Sequence, residues 1–346
     1  MKLRVEPVAV GLRDPFVSAS GPTAARELLL VRIEDAEGWV GLGEAAPLEA
    51  YDGVRLEDCR AALEDCRSVL ARSDGSDPAA LRRECARAAV LPQALAAIDL
   101  ALWDLAGRRE GAPVWHLLGA TSAPVVEVNE TIAAADRAGA VAGALAAREA
   151  GFGTVKVKVG IGDDAGRLAA VRAAAGAGMA IRLDANGAWS VSEAAAALRA
   201  LAPAGIELCE EPVHGLEELA ELSAQTDVEV AMDESAALPG ALDRRVCRSV
   251  CLKISRCGGI TGSIEAARRA RAAGYDVYLA STLDGPVGIA AALHAAAIIQ
   301  PDRASGLATL SQFQAPESAM VPRRGRLSPP PGGGLGDGLE RWYGGR

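Results

Sequence analysis

Charged residues recur at the ends of successive predicted strands in the middle of the chain. A lysine pair, Lys156 and Lys158, is followed by three acids and then by a single lysine, Lys253. The intervals from Lys156 through the acids to Lys253 are 28, 26, 23 and 20 residues, each about one strand plus one helix. In a barrel of repeated β/α units the carboxyl ends of all strands meet at one face, where active sites lie. The acids expected there with the lysines are Asp184, Glu210 and Asp233.

Three carboxylates brought together at one barrel mouth repel one another, and a divalent cation would let all three stay ionised. Ligation by oxygen alone favours Mg²⁺, with Mn²⁺ as the second candidate. Zinc is disfavoured because it normally recruits Cys or His, whereas the three predicted ligands are all carboxylates. The acids are therefore predicted to form a magnesium site.

The lysines are predicted to supply the acid and base groups of this site. Alternation along a strand places Lys156 and Lys158 on one side of the sheet, while the intervening valines face the helical layer. Lys253 follows four units later, so it faces the pair across an eight-stranded barrel. A substrate held between them would have an amine on each side. Such amines accept protons near neutrality only if burial and neighbouring cations lower their pKa.

The order of these motifs resembles the enolase superfamily. Within it, the KxK pair, the DAN, EEP and DES boxes and the KxxxxGG box are similar to those of the muconate lactonizing enzyme subgroup. This resemblance implies removal of a proton next to a carboxylate by barrel lysines, through an enediolate intermediate, with Mg²⁺ as cofactor. It implies Lys158, Lys253 and Lys156 as catalytic residues and Asp184, Glu210 and Asp233 as metal ligands. Supporting residues around the ligands and lysines would be Asn186, Glu211 and Glu234.

The resemblance also implies an α/β fold, a (β/α) TIM-type barrel with an N-terminal α+β capping domain that the C-terminal segment completes. The first 45 residues alternate like antiparallel strands, and the segment from 57 to 107 is typical of helices. We expect a cap over residues 1–120, a barrel over 121–310 and a returning segment over 311–346. Eight barrel strands are predicted, near 125–131, 154–159, 180–184, 206–210, 228–233, 250–254, 276–281 and 305–310.

Composition excludes several classes of protein. The net charge is −9 with no run of Lys or Arg, which disfavours nucleic acid and anionic membrane as partners. The seven cysteines include no CxxC pair, so reduced, buried thiols are expected. The amino terminus lacks the pattern of a secretory signal, and no apolar run is long enough to span a membrane. We therefore expect a cytoplasmic protein that acts on a small molecule. The resemblance implies that this molecule is a carboxylate and that the barrel forms a homo-oligomer.

Each of these residues also has a structural interpretation. Paired lysines in a strand usually mark a solvated face, although a closed parallel barrel offers none. Asp184 and Asp233 could cap the following helices, and Asn186 could either orient a carboxylate or shape a turn. The pair Gly258 and Gly259 could hold an anion, but such pairs more often permit a tight turn.

Residues that contact the substrate are less well defined by the sequence. In proteins that the chain resembles, two cap loops close over the barrel mouth. The matching segments here, Asp14 to Thr23 and Ala45 to Gly53, have the composition of loops. The candidate contacts from these loops and from the seventh strand are Phe16, Tyr51, Ser281 and Asp284.

The outcome of the reaction is left with several alternatives. The segment LASTLDGPVGIAA resembles o-succinylbenzoate synthases, and the aspartate-x-aspartate with which dipeptide epimerases hold a substrate amine is not evident. These features favour dehydration. The first cap hairpin is more similar to cycloisomerases and epimerases, so a dipeptide epimerase, an N-acyl amino acid racemase or a muconate-type cycloisomerase is the alternative. A non-catalytic binding protein on the same fold is disfavoured, because an unused charge cluster costs stability.

Overall fold

The computed structural model describes residues 1–18, 21–73, 77–88, 91–315 and 320–344. Two residues of the predicted first cap loop, Ala19 and Ser20, and part of the C-terminal segment, residues 316–319, lie outside this description.

The amino-terminal part forms an antiparallel sheet of three strands, β1 (Lys2–Ser18), β2 (Gly21–Glu34) and β3 (Val40–Ala45), in that order. The strand β2 alternates between two cores, which explains its unbroken apolar sequence. Leu28 and Leu30 join the core that extends into the barrel, whereas Leu29 and Val31 pack against the cap helices. The sequence prediction of antiparallel strands is confirmed.

The predicted first cap loop is wrong in one respect, since β1 and β2 continue through most of it. Phe16 pairs with Thr23 in the hairpin ladder, after a register shift that begins at Gly11. The second predicted loop contains one short helix, α1, at Glu49–Asp52. Each cap segment therefore carries its aromatic residue on a regular element rather than on an unsupported loop.

Helices cover one face of the cap sheet. The longest, α5, starts with a proline in its first turn and ends at Gly111 in the left-handed conformation, two common terminal signals. It packs closely on β3, where a Cβ at Gly43 would lie 1.9 Å from the Ala97 carbonyl oxygen. With α1, the helices of the cap are α2 (Leu56–Asp65), α3 (Arg67–Arg72), α4 (Pro78–Ala88), α5 (Pro92–Glu110) and α6 (Val114–Leu117).

A curled parallel sheet of seven strands follows, after a two-residue strand β4 at Val126–Glu127. The sheet closes through Ser305, which bridges to Val128, and Gly306, which bridges to Ala280. The predicted eighth strand is thus reduced to these two bridging residues. The seven strands are β5 (Glu130–Ile132), β6 (Thr154–Lys158), β7 (Ala180–Asp184), β8 (Ile206–Glu210), β9 (Glu229–Met232), β10 (Ser249–Lys253) and β11 (Asp276–Ala280).

Helices cover the outside of the barrel after every strand except β9. That connection holds only a 3-10 turn, at Glu234–Ala237, which departs from the predicted repeat of strand and helix. The other connections carry α7 (Arg137–Glu149), α8 (Asp164–Ala175), α9 (Val191–Leu201), α10 (Leu216–Ser223), α11 (Gly259–Ala272) and α12 (Pro286–Ile299).

The C-terminal segment packs back on the cap and on the first barrel elements. Its short strand β12, at Arg326–Leu327, pairs with β4. Further along, the Leu335 amide donates to Asp104 of α5 at 2.7 Å, and the Tyr343 hydroxyl donates to Glu44 of β3. These contacts complete the capping layer, as the sequence predicted.

Two expectations drawn from composition can be compared with the structure. All seven cysteines are free thiols, and all but Cys257 are buried. Among the described residues, no helix combines the length and the apolar character needed to cross a membrane.

Candidate active site

The register of the barrel brings the predicted charged residues together at one mouth. Lys158 of β6 lies beside Asp184 of β7, which lies beside Glu210 of β8. Lys253 ends β10, the fourth strand after β6 in the sheet order. In a barrel closed by an eighth segment, the two strands stand opposite each other. The valines between and beside Lys156 and Lys158 are buried in the outer core, as the alternation predicted.

Ion pairs connect the lysines to the acids. The Lys156 amine lies 2.8 Å from Asp184 and 2.6 Å from Glu210. Lys158 lies 2.6 Å from Asp184, and Lys253 lies 2.6 Å from Asp233. The lysines therefore provide positive charge to the carboxylates, a role that the sequence analysis had given to a cation alone. Both sets of groups are buried, so each depends on the other for charge compensation.

The pKa directions follow from this pairing. Burial alone would lower the pKa of Lys253, but Asp233 holds it above the ordinary lysine range, and Asp184 and Glu210 do the same for Lys156. Because pairing with Asp233 raises the pKa of Lys253, this lysine can start as a neutral amine only if a cation compensates Asp233 in its place. Burial raises the pKa of Glu210.

Asn186 and Glu211 form hydrogen bonds that hold Asp184 and Asp233 in position. Asn186 lies in the left-handed region with φ 45°, accepts a hydrogen bond from Lys158 at 2.8 Å and donates one to Glu234 at 2.9 Å. Asn186 thus both shapes the turn and contacts the charged groups. Glu211 accepts from the backbone amides of Asp233 at 2.7 Å and Ser235 at 3.0 Å. It ties the end of β8 to the end of β9.

The donor set fits a hard divalent cation. Ligand atoms of Glu210 and Asp233 lie within 4.8 Å of each other, together with the buried thiol of Cys251, whereas the predicted ligand Asp184 is not part of this group. One carboxylate oxygen of Glu234, Oε2, is buried and has no hydrogen-bond partner in the described part of the chain. Burial and the nearby Asp233 raise the pKa of Glu234 to about 8. An excess of carboxylate oxygens, including an unpartnered one, is what a cation would relieve.

An aromatic residue of the cap covers each of the two opposed lysines. The Lys158 amine lies 5.3 Å from the centre of the Phe16 ring, and the Lys253 amine lies 3.9 Å from the centre of the Tyr51 ring. The Tyr51 hydroxyl also donates to Asp233 at 2.8 Å. Both guessed cap residues therefore line the cavity between the lysines.

The far wall of the cavity carries hydroxyl groups. Ser281 and Thr309 line it and share a hydrogen bond of 2.9 Å. Asp284 is different, because it is only 1% exposed and accepts from Thr282 at 2.6 Å behind the wall. The structure therefore places Asp284 outside the cavity, where it supports Thr282 and does not reach a substrate.

Besides Thr309, two further side chains at the site were not predicted from the sequence. The Arg256 guanidinium donates to Tyr51 at 3.0 Å, and the Tyr278 hydroxyl donates to Glu210 at 2.8 Å. Tyr278 could have been found, since it lies two residues before the end of β11 and alternation turns it inward. Nothing in the sequence pairs Arg256 with a cap residue 205 positions away.

The fold and the site together define an enolase-type barrel enzyme with an N-terminal cap. The sequence matches two family profiles, the mandelate racemase/muconate lactonizing enzyme N-terminal domain over residues 1–119 and the enolase C-terminal domain-like profile over residues 139–341. The chain belongs to the mandelate racemase/muconate lactonizing enzyme family of the enolase superfamily. The predicted resemblance is confirmed.

Relatives with assigned activities are similar along most of the chain. The L-Ala-D/L-Glu epimerase of Bacillus subtilis is 30% identical over 86% of this chain and 84% of its own. The N-succinyl-L-Arg/Lys racemase of Bacillus cereus is 28% identical over 84% of this chain and 81% of its own. Among solved structures, the dipeptide epimerase of Enterococcus faecalis, complexed with Mg and L-Leu-L-Tyr, has a TM-score of 0.88 at 28% identity and covers 96% of this chain and 98% of that one.

Proposed function

We propose that this protein is a magnesium-dependent epimerase or racemase that inverts the carbon next to a substrate carboxylate. The observation that carries the proposal is the placement of Lys158 and Lys253 on opposite strands of one mouth, each paired with a different acid. Inversion at carbon needs a proton acceptor on one face and a proton donor on the other. The similar epimerase and racemase support the same reading.

We assign the metal-binding role to the three acids at the barrel mouth. Asp184, Glu210 and Asp233 would hold the cation. When bound there, Mg²⁺ supplies positive charge that makes the proton next to a substrate carboxylate acidic. Mn²⁺ is the second candidate, because it accepts the same oxygen ligands.

The proton transfers follow from the lysines. One of the two, as a neutral amine, takes the proton from its face of the substrate carbon and becomes an ammonium. The other, starting as an ammonium, returns a proton to the opposite face and becomes an amine. Lys156 stays between Asp184 and Glu210, where it positions both carboxylates.

The lining of the cavity favours an N-acylated substrate. Among the described residues that line it, three are lysines and the one carboxylate, Asp184, already contacts two of them. A free substrate ammonium would find no unpaired carboxylate there. An amide has no charge to compensate and can hydrogen-bond to the hydroxyls of Ser281 and Thr309. We therefore propose an N-acyl amino acid in preference to a dipeptide with a free amine.

The preference for dehydration gains no support from the relatives described above, which are an epimerase and a racemase. Their similarity favours the alternative that the sequence analysis had ranked second. We therefore place dehydration behind inversion, with a direct test that separates the two.

Proton NMR in D₂O with Mg²⁺ tests the proposal. A panel of N-acyl amino acids and dipeptides is offered beside the cyclohexadiene acid that o-succinylbenzoate synthases dehydrate. Loss of an α-proton signal, with inversion seen by chiral chromatography, is the expected result. An aromatic product from the cyclohexadiene acid would establish dehydration instead. Binding of the panel without exchange would indicate a binding protein. Assembly as a homo-oligomer and a cytoplasmic location stay predictions, and light scattering tests the first.

A further inference from the structure

The missing helix after β9 leaves a cavity in the outer layer of the barrel. The connections on either side of it carry helices of 8 residues, α10, and 14 residues, α11. Between β9 and β10 the chain instead forms the short 3-10 turn and irregular loops. A cavity of about 450 Å³ lies beside these loops, against α11 and β10. We call it the lateral cavity.

The lateral cavity has apolar walls and an excess of cationic groups. Its walls include Leu238, Leu242 and Ala266. Its charged lining consists of three guanidinium groups and Lys253 against two acids: Arg82, Arg256, Arg269, Lys253, Asp233 and Glu265. A ligand with an apolar body and a charged group would find partners for both parts in this cavity.

The three arginines differ in how their charge is compensated. Arg82 forms a 2.8 Å ion pair with the buried Asp99, and Arg269 forms one of 2.8 Å with Asp243. Arg256 donates to the Tyr51 hydroxyl at 3.0 Å and to the Glu234 carbonyl at 3.3 Å. Neither of these acceptors is a carboxylate, and no ion pair of Arg256 is present among the described residues. A guanidinium has five N–H donors, so Arg256 retains the capacity to bind a carboxylate.

We propose that the lateral cavity binds a small organic anion, a carboxylate attached to an apolar body. Arg256 binds the carboxylate and the leucine-rich wall takes the body. The site lies next to the substrate cavity and shares Lys253 with it, whereas Ser281 and Thr309 line the substrate cavity alone. Arg256 also donates a hydrogen bond to Tyr51, which covers Lys253. A ligand bound to Arg256 is therefore connected to the active site through Tyr51. This inference does not depend on the proposed activity.

The test uses 2-naphthoate as the anion and 2-naphthalenemethanol as its uncharged counterpart, with binding measured by calorimetry. Two variants each fill one cavity with the same side chain: Ala266→Trp fills the lateral cavity and Ser281→Trp fills the substrate cavity. The expected result is that wild type and Ser281→Trp bind naphthoate about tenfold more tightly than the alcohol. Ala266→Trp and Arg256→Met are expected to lose about tenfold or more of the naphthoate affinity.

Three outcomes would overturn the proposal. Naphthoate binding lost in Ser281→Trp and kept in Ala266→Trp would place the ligand in the substrate cavity. Equal binding of the acid and the alcohol would remove the role of Arg256. Absence of binding to wild type, with a fall in oligomer mass on Leu238→Trp, would show that a second copy of the chain covers the cavity. Leu238→Trp also replaces Ala266→Trp if the latter fails to fold, because Leu238 is on an exposed loop.

Discussion

The two sides of the active site use the same kinds of residue but connect them differently. On one side Lys158 pairs with Asp184, donates a hydrogen bond to Asn186 and lies under the Phe16 ring. Phe16 offers only its ring, at 5.3 Å from the amine. The cap residue Phe16 therefore contacts this lysine only through its aromatic ring and cannot form a hydrogen bond to it.

On the other side the cap residue is bound directly to the charged groups. Tyr51 donates to Asp233 at 2.8 Å, and it accepts from Lys253 at 2.7 Å and from Arg256 at 3.0 Å. A second anchor holds the cap segment that carries Tyr51, since Arg26 donates to the Pro47 carbonyl at 2.8 Å. The Lys253 side thus combines cap, base and proposed metal ligand in one hydrogen-bonded unit. Cap closure and the position of the base are coupled on this side.

Removal of either base gives the largest expected effect. Lys158→Ala and Lys253→Ala should each lower the rate of inversion by about 10²–10⁴-fold, because each removes one of the two proton-transfer groups. Each variant should still exchange the α-proton of one enantiomer, and the two variants should retain opposite enantiomers. NMR in D₂O from each pure enantiomer measures this.

Retention of Mg²⁺ affinity by calorimetry is the control that both lysine variants remain folded with an intact metal site. Exchange of both enantiomers in either variant would show that the substituted lysine is not a base.

The sequence predicted the charged centre more accurately than its surroundings. The repeat length and the ends of strands located Lys158, Asp184 and Lys253, because alternation and parallel strand order are local rules that fix which face a residue occupies. The direct pairing of the lysines with the three proposed metal ligands was not predicted, since a motif specifies positions but not distances.

Residues that depend on contacts between distant elements could not be predicted. Asp284 was a candidate substrate contact after the seventh strand, but it is buried beside Glu44 of the cap sheet and Tyr343 of the C-terminal segment. The connection after β9 is long enough to hold a helix, yet Pro239 and Gly240 interrupt it. That interruption was visible in the sequence and was not used. The boundaries of the three predicted segments stay predictions.

A buried carboxyl beneath the Tyr51 segment should make stability depend on pH. Burial, and next the nearby Asp284, raise the pKa of Glu44 to about 8. Between an unfolded pKa of about 4.3 and this value, the native state binds a proton that the unfolded state has released, so stability falls as pH rises. Wild type should lose on the order of 2–4 kcal/mol of unfolding free energy through this group between pH 5 and 8.5.

Glu44→Gln should lose correspondingly less over the same range, because glutamine stays neutral. Urea unfolding at the two pH values measures the difference. Arg26, Asp284 and Tyr343 lie beside Glu44, and Asp284 titrates together with it, so the difference between the two proteins measures the effect of this pair of carboxyl groups. Identical pH dependence in both proteins would contradict the assignment.

The residues that position the acids should contribute more to Mg²⁺ affinity on the Lys253 side than on the Lys158 side. Glu211 receives the backbone amides of Asp233 and Ser235, so Glu211→Gln should misplace Asp233 and weaken Mg²⁺ binding by about 10–100-fold. Asn186→Ala is the matched change on the other side, and it should weaken binding less because Asn186 contacts Asp184 through its backbone. Calorimetry with Mg²⁺ measures both. A larger loss in Asn186→Ala would reverse the comparison.

Substitutions of Tyr51 and Phe16 should have the smallest effects, and they test whether the cap is coupled more strongly to Lys253 than to Lys158. Tyr51→Phe keeps the ring over Lys253 but removes a hydroxyl that contacts three charged groups, so inversion should fall about tenfold. Phe16→Leu removes only a ring 5.3 Å from Lys158 and should cost about two- to fivefold. The rates of α-proton exchange from each enantiomer measure both. Equal losses would mean that the hydroxyl does not couple the cap to the base, and the two sides would then differ in geometry but not in function.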